Sequence, residues 1–127
     1  MKHFGPWVTE ELWRGGAGDI LPWSGEVAQG PAGLAFYPGT GLPEETGVAG
    51  NILNIVLPQG SGSEPWRKAV SETIIPAIRK FKPDLLMISA GFDAHVSDPM
   101  AHMKLSTEDF SWVTHELCKL AEEVCGG

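Results

Sequence analysis

The sequence predicts an α/β fold built on parallel strands. Three observations point there. Residues 51–57 and 85–89 are short, nearly continuous apolar runs, as expected of strands covered on both faces. A stretch with helical apolar spacing separates them, so strand, crossover helix and strand read as a βαβ unit with parallel strands and the helix packed across them. A second amphipathic stretch follows a loop and runs nearly to the last residue.

Residues 1–33 are rich in glycine and proline and carry Trp7, Trp13 and Trp23. Glycine and proline interrupt every periodic stretch there, so the segment reads as irregular. The regular part begins at residue 34. Phe36, Tyr37, Pro38, Gly39, Thr40 and Gly41 make a turn-rich loop, and the first strand follows at residues 51–57, ended by Pro58. Ser63 is placed as a helix N-cap, with Pro65 in the first turn, where its missing N–H is harmless. The apolar stripe of this helix is Trp66, Ala69, Val70, Thr73, Ile74, Ala77, Ile78 and Phe81. Pro76 lies inside it and should kink or split it, and Pro83 ends it. After the second strand and a loop over residues 90–104, Ser106 and Asp109 form a capping-box pattern. The last helix spans residues 107–124, with Phe110, Val113, Leu117, Leu120, Ala121 and Val124 facing inward and Gly126 and Gly127 as its stop.

Composition excludes several function classes. A formal net charge of -7 argues against direct nucleic-acid binding, which needs clustered Lys and Arg. No apolar run is long enough to span a bilayer. Residues 1–33 lack a signal-peptide core, and Glu10, Glu11, Asp19 and Glu26 are wrong for an acid-poor transit peptide. Cys118 and Cys125 lie seven apart on one helix, about 10 Å along its axis, too far for a disulfide within it. They read as free thiols, placing the chain in a reducing intracellular compartment, whether cytoplasm, nucleus or organelle.

The chemistry concentrates in the loop after the second strand, since open α/β sheets bind ligands at the carboxyl ends of their strands. Asp93, His95, Asp98 and His102 fall within ten positions, and Asp with His suits a divalent metal such as zinc. Loops of this composition also arise as Asx-turns and helix caps.

Ser89-Ala90-Gly91-Phe92-Asp93-Ala94-His95 with Asp98-Pro99-Met100 resembles the third metal-ligand loop of the histone deacetylase family. The segment from Phe36 to Gly41 with Glu44, Glu45, Thr46 and Gly47 is similar to that family's glycine-rich channel loop. Phe81-Lys82-Pro83-Asp84 and the start of the last helix fit as well. The flavour is class II-like, nearest the plant organellar and bacterial acetyl-amidohydrolase branch. Residues 34–127 thus resemble part of a catalytic domain with an arginase/deacetylase-like fold, whereas residues 1–33 show no resemblance.

The resemblance implies zinc as cofactor, with Asp93 as a ligand. It implies that Tyr37 and Gly91 border the substrate channel and that the Leu53 carbonyl lies near a monovalent-cation site. It implies acetyl-lysine or a small acetylated amine as substrate. His95 is common at its place in the family but is not a ligand there, Asp98 orders the loop, and His102 and His115 match no functional position. The family's histidine pair, its oxyanion-stabilising tyrosine and two further zinc ligands have no counterpart in these residues. The expectation is therefore a fragment of a zinc-dependent deacetylase, inactive alone, that associates through exposed sheet edges. The alternatives are a non-enzymatic interaction fragment and a small metal-binding protein using Asp93, His95, Asp98 and His102.

Overall fold

The computed structural model describes residues 42–99 and 101–127 in full and residues 23–29 as backbone. The chain divides into two compact units between Gln59 and Gly60.

In the first unit, β1 (Trp23–Gln29) and β2 (Leu53–Pro58) form a two-stranded parallel sheet. Trp23 pairs with Leu53 and Gln29 with Pro58, with a register shift between Ser24 and Val27. Gly25 sits in that shift, where a residue without a side chain best tolerates local irregularity. Asn54 and Leu57 of β2 are buried. The Asn54 carboxamide donates to the carbonyls of Leu42 and Glu45, both at 3.0 Å, and so gathers the loop that precedes the strand. Gly47 turns this loop at φ +75°, and a Cβ there would stand 2.8 Å from Ile52 Cδ1, so only glycine fits.

Two segments differ from expectation. The segment over residues 1–33, read as irregular, contains β1. Its sequence lacks an alternating pattern, and its extended conformation is stated by the ladder to β2 rather than by local propensity. Residues 85–89, expected as a strand parallel to β2, form no strand within the second unit, while within the first unit β2 pairs with β1. Leu85, Met87 and Ile88 are 70%, 81% and 54% exposed. An apolar run becomes a strand only when a neighbour accepts its backbone hydrogen bonds, and within the second unit no described residue does so.

The second unit holds α1 (Ser63–Ala69), a π-helical turn (Val70–Ile74), α2 (Ile75–Phe81) and α3 (Thr107–Cys125). Pro76 explains the π turn. It has no N–H to donate back along an α-helix, and its ring crowds the carbonyl four residues earlier, so the preceding turn widens and the helix continues. The buried residues of this run are Trp66, Val70, Ile74 and Ile78, spaced four apart. In a pure α-helix each such step drifts about 40° around the axis. The wider turn offsets that drift and keeps all four on the core side, while Thr73, expected inward, is exposed. Leu117 and Leu120 of α3 complete the apolar contact. Lys82 ends α2 in the left-handed region at φ 56°, just before Pro83. Gly126 caps α3 at φ 80°, as its glycine predicts.

The N-terminal ends of α1 and α3 are joined through Asp109, whose side chain is fully buried. Its carboxylate accepts from Ser63 Oγ at 2.6 Å, Arg67 Nε at 2.6 Å, Ser106 N at 2.8 Å and Ser106 Oγ at 3.1 Å. The Ser106–Asp109 capping box therefore forms as the sequence indicates. Ser63 does not cap α1; Gly62 holds the cap position, and the Ser63 hydroxyl is spent on Asp109. Above the pair, the Arg67 guanidinium lies 4.9 Å from the Trp112 ring centre, and Trp66 packs edge-on against Trp112. An exposed two-pronged pair of Arg79 with Glu123 ties α2 to α3 farther along.

Burial alone raises the Asp109 pKa, but the donated hydrogen bonds from Ser106, Ser63 and Arg67 outweigh it and hold the carboxyl at about 2, against an ordinary 3.8. A depressed carboxylate stabilises the fold when ionised. That stability is complete above about pH 4 and is lost as the pH falls through about 2, on the order of 2 kcal/mol in all. Asp109→Asn should flatten this acid limb in urea-unfolding midpoints measured between pH 2 and pH 5. Asp109→Ala at neutral pH leaves Arg67 and two hydroxyls without their acceptor and should lower stability by about 2–4 kcal/mol in the same measurement.

Candidate functional site

The loop carrying Asp93 is held by backbone hydrogen bonds on a small frame. Lys104 and Leu105 form its middle rung, bridged in parallel to Gly62 on one side and His95 on the other. Lys104 N donates to Ser61 O at 2.9 Å, Leu105 N to Ala94 O at 3.0 Å, and Val96 N to Leu105 O at 2.8 Å. Ala94, Met103 and Leu105 are buried beneath this frame. The loop is thus anchored to the residues just before α1 and just before α3.

Asp93 sits in the turn closed by His95 N donating to Phe92 O at 3.1 Å, and is half-buried. Its carboxylate makes no hydrogen bond or ion pair with any described residue. Gly91 lies against it: a Cβ at Gly91 would stand 3.1 Å from Asp93 Oδ1, so the glycine leaves the carboxylate its room.

His95 is committed inside the loop. Its Nδ1 accepts from the Ser97 N–H at 3.1 Å, which in the neutral ring places the proton on Nε2, facing Thr107 Oγ1 at 3.3 Å. The ring stacks on Phe110 with centroids 6.3 Å apart, and Phe92 meets the same Phe110 edge-on at 5.4 Å. Asp98 N donates to His95 O at 2.8 Å. His102 is exposed, in the left-handed region at φ 54°, and its carbonyl accepts from Gly60 N. Among the described residues, no three of His, Cys, Asp and Glu come together to hold a metal ion, so Asp93, His95, Asp98 and His102 do not form the metal site that their spacing suggested.

Of the remaining sequence-derived sites, Leu53 opens β2 opposite Trp23, and Tyr37, with its loop from Phe36 to Gly41, lies outside the described residues. Sequence reasoning did not assign Ser63 and Arg67 to the Asp109 network, although the capping-box pattern marked its centre. The Asn54 clamp was missed too; a lone asparagine within an apolar strand was its signal. Cys118 and Cys125 are free thiols, as expected. A shallow groove along α3, lined by Thr107, Phe110, Ser111, Thr114, His115 and Cys118, includes neither Asp93 nor Gly91.

Residues 31–126 match the family model for the histone deacetylase domain. The chain is 43% identical over 94 residues to histone deacetylase 14, chloroplastic, of Arabidopsis thaliana, covering 72% of this chain and 22% of that protein. It is 34% identical over 95 residues to the histone deacetylase-like amidohydrolase of Pseudomonas aeruginosa, covering 72% of this chain and 25% of that one. Among solved structures, the HDA15 HD domain superposes with a TM-score of 0.62 at 32% identity, over 72% of this chain and 26% of that chain. The chain spans about a quarter of the length of these relatives. Most of its length matches the family model, and the matched part includes the Asp93 loop and both of its anchors: the chain belongs to the histone deacetylase family.

Proposed function

We propose that this chain is a portion of a zinc-dependent deacetylase that hydrolyses the amide of acetyl-lysine or of a small acetylated amine, and that alone it has no activity. The observation that carries this reading is Asp93: a half-buried carboxylate without a described partner, held in a loop pinned at both ends. In this reading Asp93 is one zinc ligand, Gly91 and Tyr37 border the acetyl-lysine channel, and the Leu53 carbonyl serves a monovalent-cation site. Zinc in a deacetylase polarises the acetyl carbonyl and activates water. The described residues do not fit that metal by themselves, because a catalytic zinc takes three protein ligands and they bring together fewer than three. His95 does not add a ligand while both its ring nitrogens stay in their hydrogen bonds.

The setting follows from the same chemistry. The free thiols favour a reducing intracellular compartment. No described helix is long and apolar enough to cross a membrane, and the net charge of -7 disfavours a nucleic-acid partner.

Purified chain assayed on acetyl-lysine peptides with added zinc should show no turnover, because the general base and the oxyanion donor are not supplied. Turnover that vanishes in Asp93→Ala is the result that overturns the proposal. In calorimetric titration, zinc should bind the chain no more tightly than it binds Asp93→Ala, since one carboxylate does not make a site.

A further inference from the structure

The loop bearing Asp93 is the outer row of a small parallel ladder. Residues 102–105 form the middle row, and residues 60–62 form the row on the other side. Gly60 N donates to His102 O at 2.9 Å and Lys104 N to Ser61 O at 2.9 Å, and the bonds of Leu105 N to Ala94 O and of Val96 N to Leu105 O complete the ladder. So few rungs are marginal by themselves. Both inner rows run directly into one buried charge. The row at residues 60–62 continues into Ser63, and the middle row continues into Ser106. Asp109 Oδ2 accepts from both hydroxyls, at 2.6 Å and 3.1 Å, and from Ser106 N at 2.8 Å. Arg67 Nε holds the other oxygen at 2.6 Å, so the carboxylate is fixed from both sides. It is fully buried, where hydrogen bonds to a charge are strong.

We infer that Asp109 and Ser63 are positioning residues for Asp93: the Asp109 carboxylate clamps the ends of the two inner rows together, and the clamped rows hold the third. Asp93 directly precedes Ala94, whose carbonyl is bonded to Leu105, so a shift of that rung reaches the Asp93 carboxylate within one residue. The first turn of α3 adds a second hold on the same loop, through Thr107 Oγ1 at 3.3 Å from His95 Nε2 and Phe110 stacked on the His95 ring. A metal site needs its ligands held to within about 0.5 Å, which a freely moving loop does not provide.

This inference rests on the reading of Asp93 as a zinc ligand, but its test uses no zinc, so the two fail separately. Amide hydrogen exchange of the full chain, followed residue by residue by NMR, reads the ladder directly. In Asp109→Asn, the amides of Val96, Lys104 and Leu105 should exchange faster by about tenfold or more relative to those of Leu117 and Leu120 in α3. The amide signals from Gly91 to His95 should shift in the same variant. Ile78→Val loosens the core without touching the network and should speed both groups of amides alike. Ser63→Ala, a milder change that leaves Arg67 in place, should lower protection at Lys104, and Ser63→Thr, which keeps the hydroxyl, should preserve it. The Ser63 pair decides the matter should Asp109→Asn not fold. Ladder amides that change only in step with Leu117 and Leu120 in Asp109→Asn overturn the inference, as do unmoved signals from Gly91 to His95. So does full protection of Lys104 in Ser63→Ala, or a loss in Ser63→Thr equal to that in Ser63→Ala.

Discussion

A carboxylate taken fully out of water must find hydrogen-bond donors, and Asp109 obtains all of its donors from two helix beginnings. That requirement organises the second unit. Ser63 and Arg67 belong to the first turns of α1, and Ser106 is the cap of α3, so satisfying one buried charge fixes both helices at their N-terminal ends. The constraint then passes along the backbone. Ser106 follows Leu105, Leu105 is bonded to Ala94 and Val96, and Ala94 follows Asp93. A residue sixteen positions from the candidate ligand, on a different element, thereby holds the loop on which that ligand sits.

Within the loop the polar groups divide their work. His95 turns inward and spends both nitrogens on the loop and on α3, while Asp93 keeps its oxygens free. A histidine that is bonded on both nitrogens organises the structure and gives up ligand capacity. A half-buried carboxylate with no partner among the described residues keeps its capacity to accept.

Much of this was legible in the sequence where a local rule decides the outcome. The capping box at Ser106 and Asp109, the apolar stripes of the helices, the glycine stop after Cys125 and the first buried strand all follow from patterns confined to a few residues. The disruption at Pro76 was legible as well, though its form, a π turn rather than a kink, depends on how the core rewards keeping Ile74 and Ile78 inward. What escaped is what depends on distant pairing. Trp23–Gln29 becomes a strand because β2 is beside it, and residues 85–89, with the stronger local pattern, find no partner among the described residues of the second unit. Spacing also overstated the metal cluster: four candidate ligands fall within ten positions, but no three of them come together among the described residues, and local hydrogen bonds claim His95.

The π turn also works as a register device. It accommodates one residue more than an α-helical turn needs, at a place where the helix has already opened around Pro76. Deleting a single residue there, together with exchanging the proline, yields a sequence able to run as unbroken α-helix with its two halves in the phase they already have. Exchanging the proline without the deletion, so that the turn tightens to α, rotates everything beyond it by about 100° relative to α1. Ile78 then leaves the core, and Arg79 swings away from Glu123. The wide turn therefore acts as a phase adjuster between two helical halves, so a further insertion in residues 70–74 should be poorly tolerated while a single deletion is absorbed, even though much of that surface faces water.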